Sequence, residues 1–326
     1  MEKRTLGNSK IAVTPVGMGC RTIGPSRVGS SLASGARLIS YALEQGVNFL
    51  DTAENYRTYG YVRRALEELA PAFAQNALPR PVIAGKSLAP DYEGMRRAIE
   101  DCRAALDLDQ IDIFLLQEVA QLPDFENRSG AWVCLQDAKA KGYIKAAGIS
   151  THYADTVLEA AETPGMDVLF PLINYMGLGI RSGSGTGTKE EMAGAIRAAA
   201  ERGVGICAMG VLGGGDLARD YIQALDYATG LAGVQSVLIG FGYKEDVDAA
   251  ALYFEGRLPK DYAPGVPQKR MFVDPSKCTG CGACVNYCTS KAFSPGADGI
   301  AEVNHENCVR CGFCLYVCPM NALLFL

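Results

Sequence analysis

A chain of 326 residues with 48% hydrophobic and 21% charged residues has the composition of a folded globular protein of about two domains, which excludes wholesale disorder and fibrous classes. A formal net charge of -5 provides no electrostatic footprint for nucleic acid, and no apolar run approaches the roughly 18 residues of a membrane span. The N-terminal MEKRTLGNSK lacks the apolar core of a secretory signal, so a cytoplasmic protein without a membrane or nucleic-acid partner is expected.

The first elements are two short segments, residues 4–6 and 11–14, flanking Gly7-Asn8, a hairpin signal suited to capping the bottom of a barrel. Eight apolar runs follow, at 16–19, 47–51, 82–86, 111–117, 144–150, 168–174, 204–209 and 235–240. Between them, stretches such as 33–45, 92–106, 190–202 and 244–254 repeat apolar residues at helical spacing. Eight strand–helix pairs in about 250 residues predict an α/β fold, a (β/α)8 TIM barrel whose strands are apolar on both faces. A doubly wound open sheet is the alternative, but residues 17–22, GMGCRT, do not match its G-x-G-x-x-G fingerprint. Gly213, Gly214 and Gly215 after the seventh run read either as a phosphate-binding loop or as a tight turn. Residues 181–188, RSGSGTGT, read as a polar loop, either a lid or a plain connection. Residues 258–268 carry three prolines and form a linker, so the barrel is assigned to residues 1–265 and a second unit to 266–326.

Barrel enzymes place reacting groups at the C-terminal ends of strands. There the sequence puts Asp51, followed by Thr52-Ala53-Glu54-Asn55-Tyr56, then Lys86, Gln117 and Ser150. Alternation sets Val47, Phe49 and Asp51 on one face, as it does Val82, Ala84 and Lys86, and Ile113, Leu115 and Gln117. A buried lysine calls for a carboxylate, and a phenol titrating at about 10 needs a neighbouring cation to work near neutrality.

With these residues in view, residues 4–250 resemble the aldo-keto reductase superfamily. The shared features are the opening hairpin, D-T-A-x-x-Y at 51–56, the lysine of the third strand, I-D-I-F-L-L at 111–116 and G-I-S at 148–150. The resemblance implies that Tyr56 protonates a substrate carbonyl as hydride arrives from a nicotinamide, with Lys86 lowering the phenol's pKa and Asp51 orienting the lysine. A structural ion pair under a surface tyrosine is the plain alternative. Tyr59 and Tyr61 are rivals for the acid role, but only Tyr56 has the family's spacing from Asp51.

Where that family carries a histidine at the end of the fourth strand, this sequence has Gln117, which donates a hydrogen bond but carries no proton. Such a pocket suits an enone as well as a carbonyl. His152 is a candidate to replace the histidine in space, against a plain loop role. By resemblance, Ser150 and Asn174 fall at the nicotinamide carboxamide, Phe170 replaces the usual glutamine of strand six, and Met209 replaces the stacking aromatic of strand seven. Gly213, Gly214 and Lys244 are the places left for cofactor phosphate, although Lys244 reads better as a solvated lysine at a helix start. Arg21 and Cys20 stand at the same end of the barrel, Cys20 with the character of a packed thiol. NAD(P)H is the cofactor implied, and flavin stays open because barrels bind its phosphate without a fixed signature.

The last 49 residues hold eight of the twelve cysteines, and only Cys20, Cys102, Cys134 and Cys207 precede them. A chain without an export signal sits in a reducing compartment, where such crowding argues for metal binding. Two C-x2-C-x2-C-x3-C runs start at Cys278 and, 30 residues later, at Cys308. Zinc is the alternative for any C-x2-C pair. Residues 271–326 resemble the bacterial two-cluster ferredoxin family, in which the fourth cysteine of each run ligates the other cluster. The resemblance implies that Cys278, Cys281, Cys284 and Cys318 hold one [4Fe–4S] cluster, and Cys308, Cys311, Cys314 and Cys288 the second. Thr289 departs from the proline usual after the fourth cysteine, which Pro319 keeps. Gly280, Gly282 and Gly312 suit loops that aim N–H groups at cluster sulfur, and His305 needs no ligand role.

Clusters pass single electrons, whereas a nicotinamide delivers a hydride. Three functions are therefore weighed. The first is an NAD(P)H-linked reductase of a carbonyl or activated alkene whose clusters relay electrons. The second is a nicotinamide-independent, cluster-driven single-electron reduction or elimination. The third is an electron-transfer or redox-sensing protein with a non-catalytic barrel. Asp51, Tyr56 and Lys86 together speak against the third, Gln117, Phe170 and Met209 for the second, and the family for the first. A small-molecule substrate and a redox partner protein are the expected partners.

Overall fold

Residues 4–13 form a hairpin in which β1 (Arg4–Thr5) pairs antiparallel with β2 (Ala12–Val13). The computed structural model describes residues 1–24, 31–264, 270–288, 291–308, 314–320 and 322–325. The 265/266 boundary, part of the linker, Thr289, Cys311 and Gly312 lie outside the described residues.

After the hairpin come β3 (Val16–Gly19), β4 (Phe49–Asp51), β5 (Val82–Ser87), β6 (Ile111–Leu116), β7 (Ile144–Thr151) and β8 (Val168–Pro171). A short ribbon of β9 (Arg181–Ser182) and β10 (Gly185–Thr186) precedes β11 (Gly205–Ala208) and β12 (Val234–Ile239). Strands β3 to β8, β11 and β12 pair in parallel and close into an eight-stranded barrel, β12 returning to β3. Intervening helices cover the outside, among them Leu32–Glu44, Tyr92–Leu106, Lys189–Glu201 and Lys244–Phe254. Ser31 and Thr188 start two of these with reciprocal caps, each bonding the backbone N–H three residues on.

Burial on both faces explains why the strand runs read apolar throughout. Outward residues such as Ile83, Phe114, Leu116 and Ile149 pack with the helices. Inward residues Phe49, Ala84, Ile113, Leu115, Phe170 and Cys207 fill the barrel, and Leu6, Ile11 and Val13 of the hairpin join them. The hairpin therefore closes the bottom, as its turn signal predicts. Val47 is a correction, since β4 begins at Phe49 and Val47 packs on the outer side. Strands β6, β8 and β11 end earlier than the apolar runs suggest, leaving Gln117, Asn174 and Met209 on the loops of the rim. Residues 181–188 are also not an irregular loop: Thr186 pairs with Arg181, and Gly185 with Ser182.

In the C-terminal unit, β13 (Met271–Val273) pairs with β16 (Leu323–Phe325), and β14 (Phe293–Pro295) pairs with β15 (Ala301–Val303). Two short helices, Ala283–Tyr287 and Cys314–Val317, carry cysteines of the two runs or lead directly into them. The core is small, with Met271, Phe293, Leu315 and Leu323 packed among the thiols. Such a core is too slight to hold the unit alone, so bound clusters would supply much of its stability. No helix among the described residues is long and apolar enough to cross a membrane.

One glycine of the barrel is fixed by crowding. Gly148 on β7 lies opposite Val168 on β8, and a Cβ there would sit 1.9 Å from the Val168 carbonyl oxygen. Gly148→Ala should therefore destabilise the barrel by about 2–3 kcal/mol, or prevent folding, measured by urea unfolding against wild type.

Candidate active site

Asp51 closes β4 and Lys86 sits near the end of β5, both at the C-terminal rim. Lys86 Nζ donates to Asp51 Oδ1 and, at 2.8 Å, to the Thr52 carbonyl. The Thr52 and Thr58 hydroxyls share a buried 2.7 Å hydrogen bond that ties the following loop to the site. Lys86 is 1% exposed and Asp51 6%, so the two charges depend on each other. Burial pushes the Asp51 carboxyl up, and Lys86 opposes that rise.

Tyr56 ends a single turn, Glu54–Tyr56, closed by Arg57 in the left-handed region at φ 56°. The Lys86 ammonium lies 4.8 Å from the centroid of the Tyr56 ring and 5.9 Å from that of Phe170. It is therefore held between two aromatic faces. Burial holds the Tyr56 phenol well above its ordinary value, Asp51 adds to this, and Arg21 is the cation that pulls it back. Two of the lysine's protons go to Asp51 and the Thr52 carbonyl. Burial holds the Tyr56 phenol in its protonated form. Of its rivals, Tyr61 is buried in the outer core and Tyr59 packs against it.

Gln117 follows β6, is 1% exposed, and its Oε1 is buried without a partner. Its backbone is clamped: its N–H donates to the Ser87 carbonyl at 2.9 Å, and its carbonyl accepts from Arg128 Nη1 at 2.9 Å. Arg128 also reaches the carbonyls of Ser87 (3.2 Å) and Ala89 (3.3 Å), although burial disfavours its charge. Sequence reasoning missed this residue, since a lone arginine at a helix start has no pattern that marks it. Glu118, the residue after Gln117, takes φ 52°, a conformation that costs a non-glycine about 1 kcal/mol. Its N–H donates to Ser150 Oγ at 3.0 Å, and one carboxylate oxygen is buried without a partner. Both polar atoms of the Asn55 amide are likewise buried and unpartnered. Leaving such groups unmade is costly, so their gathering beside Tyr56 marks a place for a polar ligand.

His152 comes to the same rim, where burial and the cations Arg21 and Arg181 lower its pKa to about 4. It is therefore uncharged. Cys20 is a packed thiol, pushed up by burial.

The places assigned to a nicotinamide fare unevenly. Ser150 stays at the site, its oxygen accepting from Glu118 and its proton left to donate. Asn174 closes its own loop instead: its amide donates to the Leu178 carbonyl at 2.9 Å and its oxygen accepts from the Leu178 N–H at 2.9 Å. Met209 is packed between the two barrel cores. Gly213, Gly214 and Gly215 form a turn with φ 56°, 70° and 113°, the tight-turn reading. Lys244 is exposed, and its Nζ lies 4.5 Å from the Tyr41 ring centroid.

In the cysteine-rich unit, Cys284 is buried, and its thiol is pushed up by burial and further by the neighbouring thiols of Cys278 and Cys318. Backbone N–H groups of Ala292 and Ala322 donate to the sulfurs of Cys288 (3.3 Å) and Cys318 (3.2 Å). Cysteines packed in one small core, with backbone N–H groups donating to two of their sulfurs, suit iron–sulfur ligation.

Residues 15–258 match the Aldo/keto reductase family, and residues 271–325 match a 4Fe-4S dicluster domain. The chain belongs to the aldo/keto reductase family. The 6-dehydroglucose reductase of Novosphingobium aromaticivorans is 32% identical over 170 residues, 47% of this chain and 53% of that enzyme. This chain thus spans about half the length of that curated relative. Pyridoxal 4-dehydrogenase of Microbacterium luteolum is 21% identical over 335 aligned positions, covering 80% of this chain and 95% of that one. The holo form of an aldo-keto reductase from Bacillus halodurans superposes with a TM-score of 0.63 at 19% identity, over 81% and 98% of the two chains. That last likeness is one of fold, and with the closed eight-stranded barrel it makes this aldo/keto reductase family member a TIM barrel carrying an iron–sulfur domain.

Two outcomes follow for this site. Arg128→Met strips buried carbonyls of their donor and should cost about 3 kcal/mol of unfolding free energy, read by urea denaturation of the holoprotein. The folded state keeps His152 neutral to about pH 4, whereas the unfolded chain protonates it near 6.5, so the unfolded state binds more protons in between. Stability should fall by up to about 3 kcal/mol as pH drops through that window. His152→Gln should flatten the decline, followed through the fluorescence of Trp132.

Proposed function

We propose that the protein is an iron–sulfur oxidoreductase that reduces a carbonyl or activated alkene of a small polar molecule, with Tyr56 as proton donor and the clusters relaying the electrons. The observation that carries this reading is the Lys86 ammonium, buried beneath Tyr56 and fixed by Asp51 and the Thr52 carbonyl. A buried charge pair adds little to stability that apolar side chains could not, so its place at the C-terminal rim speaks for chemistry.

Reduction of a carbonyl to an alcohol takes two electrons and two protons. Tyr56, held protonated, supplies the proton to oxygen, and solvent supplies the other. Arg21, the cation that the phenol feels, stabilises the phenolate left behind. Asp51 keeps Lys86 in place. Gln117 and Asn55 bind and orient the substrate through buried amide atoms that have no partner within the protein. Cys278, Cys281, Cys284 and Cys318, and Cys308, Cys311, Cys314 and Cys288, would hold two [4Fe–4S] clusters, which would supply electrons singly. The nearness of Cys278 and Cys318 to Cys284 supports this crossed ligation. Domains at 1–265 and 266–326, a cytoplasmic setting and a redox partner protein belong to the same reading.

A second reading, hydride delivery by NAD(P)H, has the position of Ser150 in its favour. The engagement of Asn174 within its own loop favours cluster electrons instead. Fluorescence titration of anaerobically purified protein with NADPH separates the two, and saturable binding would move the assignment to hydride transfer. Tyr56→Phe should lower turnover of an aromatic ortho-quinone, with dithionite as reductant, by roughly a hundredfold while leaving cluster absorbance intact. Turnover equal to wild type would overturn the acid assignment.

A further inference from the structure

The barrel and the iron–sulfur unit meet through two particular side chains. The Tyr287 hydroxyl donates to Glu118 Oε2, joining residues 169 positions apart. Tyr287 is the last residue of the helix Ala283–Tyr287, and the next residue is Cys288, whose sulfur accepts from the Ala292 N–H. Glu118 directly follows Gln117, and its left-handed backbone turns the side chain out of the strand direction. Its other carboxylate oxygen is buried without a partner. The same carboxylate is close enough to Lys86, Arg21 and Tyr56 for their charges to act on one another.

We propose that Tyr287 and Glu118 form the junction through which electrons pass from the iron–sulfur unit to the barrel site, making the cluster that Cys288 helps to hold the proximal one. The proposal rests on the cluster-driven reading above. Covalent bonds run from the Cys288 thiolate along the backbone to the Tyr287 ring, and a single hydrogen bond carries the path onward to Glu118 at the pocket. Neither side chain changes oxidation state, and no proton moves between them. The cluster held at Cys288 would pass one electron to the substrate in each of two successive steps, and an external one-electron donor protein would restore each electron. The cluster of Cys278, Cys281, Cys284 and Cys318 then faces that donor, in keeping with the exposure of Cys281. The strained backbone of Glu118 is accounted for as well, because it aims the carboxylate across the seam.

The test uses the holoprotein reduced anaerobically with dithionite. Tyr287→Phe keeps the ring and loses the hydroxyl, and Glu118→Gln keeps the shape and loses the charge. Reoxidation is followed with two oxidants, phenanthrenequinone, which enters the barrel, and ferricyanide, which takes electrons at the surface. Both variants should slow the quinone reaction by about tenfold to a hundredfold, with iron content and ferricyanide rates as in wild type. Hydrogen–deuterium exchange should rise in residues 114–121 of Tyr287→Phe. Quinone reoxidation at the wild-type rate in both variants would overturn the junction, as would unchanged exchange in 114–121. Failure of the quinone to oxidise wild-type clusters saturably would instead count against the cluster-driven reading, and the exchange result would still decide the junction.

Discussion

A lysine ammonium sealed inside a barrel needs compensation on every side, and the arrangement of this rim follows from that requirement. Lys86 has Asp51 and the Thr52 carbonyl for its protons, with the faces of Tyr56 and Phe170 beside it. The parallel register of β4 and β5 brings the partners together, setting Asp51 beside Ala84 two residues before Lys86. Removing one partner would strand a buried charge, and that penalty is larger than anything the pair adds to stability. The loop from Thr52 to Thr58 is therefore drawn tight over the ion pair, and Tyr56 is carried with it.

Charge at the rim is distributed rather than paired. Arg21 acts on Tyr56, on Glu118 and on His152, while Arg128 spends its donors on backbone carbonyls and fixes where Gln117 leaves β6. The result is a protonated phenol, a neutral imidazole and several unpartnered acceptors around one opening. Burial and these cations set the charge states of the polar groups that border the rim.

The iron–sulfur unit is more than an appendage. Its small core is packed among the thiols, and one of its tyrosines reaches the carboxylate that borders the pocket. The chain thus joins an aldo/keto reductase barrel to a 4Fe-4S domain, whose clusters pass single electrons.

Much of this was legible in the chain. Apolar runs alternating with helical periodicity determined the barrel, because strands covered on both faces admit little else. The spacing of Asp51, Tyr56 and Lys86, the replacement at Gln117 and the doubled cysteine run were equally plain, since local spacing fixes which side chains share a strand face or a loop. Strand limits were overread at 47 and 174, whereas backbone bonds beyond the strand ends still carry the pairing to Gln117 and Met209. Only the tertiary structure showed that Lys86 lies against the Tyr56 ring, that Asn174 satisfies its own loop, that Arg128 clamps two strand ends, and that Tyr287 meets Glu118. Each of these depends on which groups far apart in sequence compete for the same donor or charge. Sequence determines periodicity and spacing, and hence the fold and the identity of the reacting groups. Three-dimensional proximity, which sets desolvation and hydrogen-bond choice, decides what those groups do.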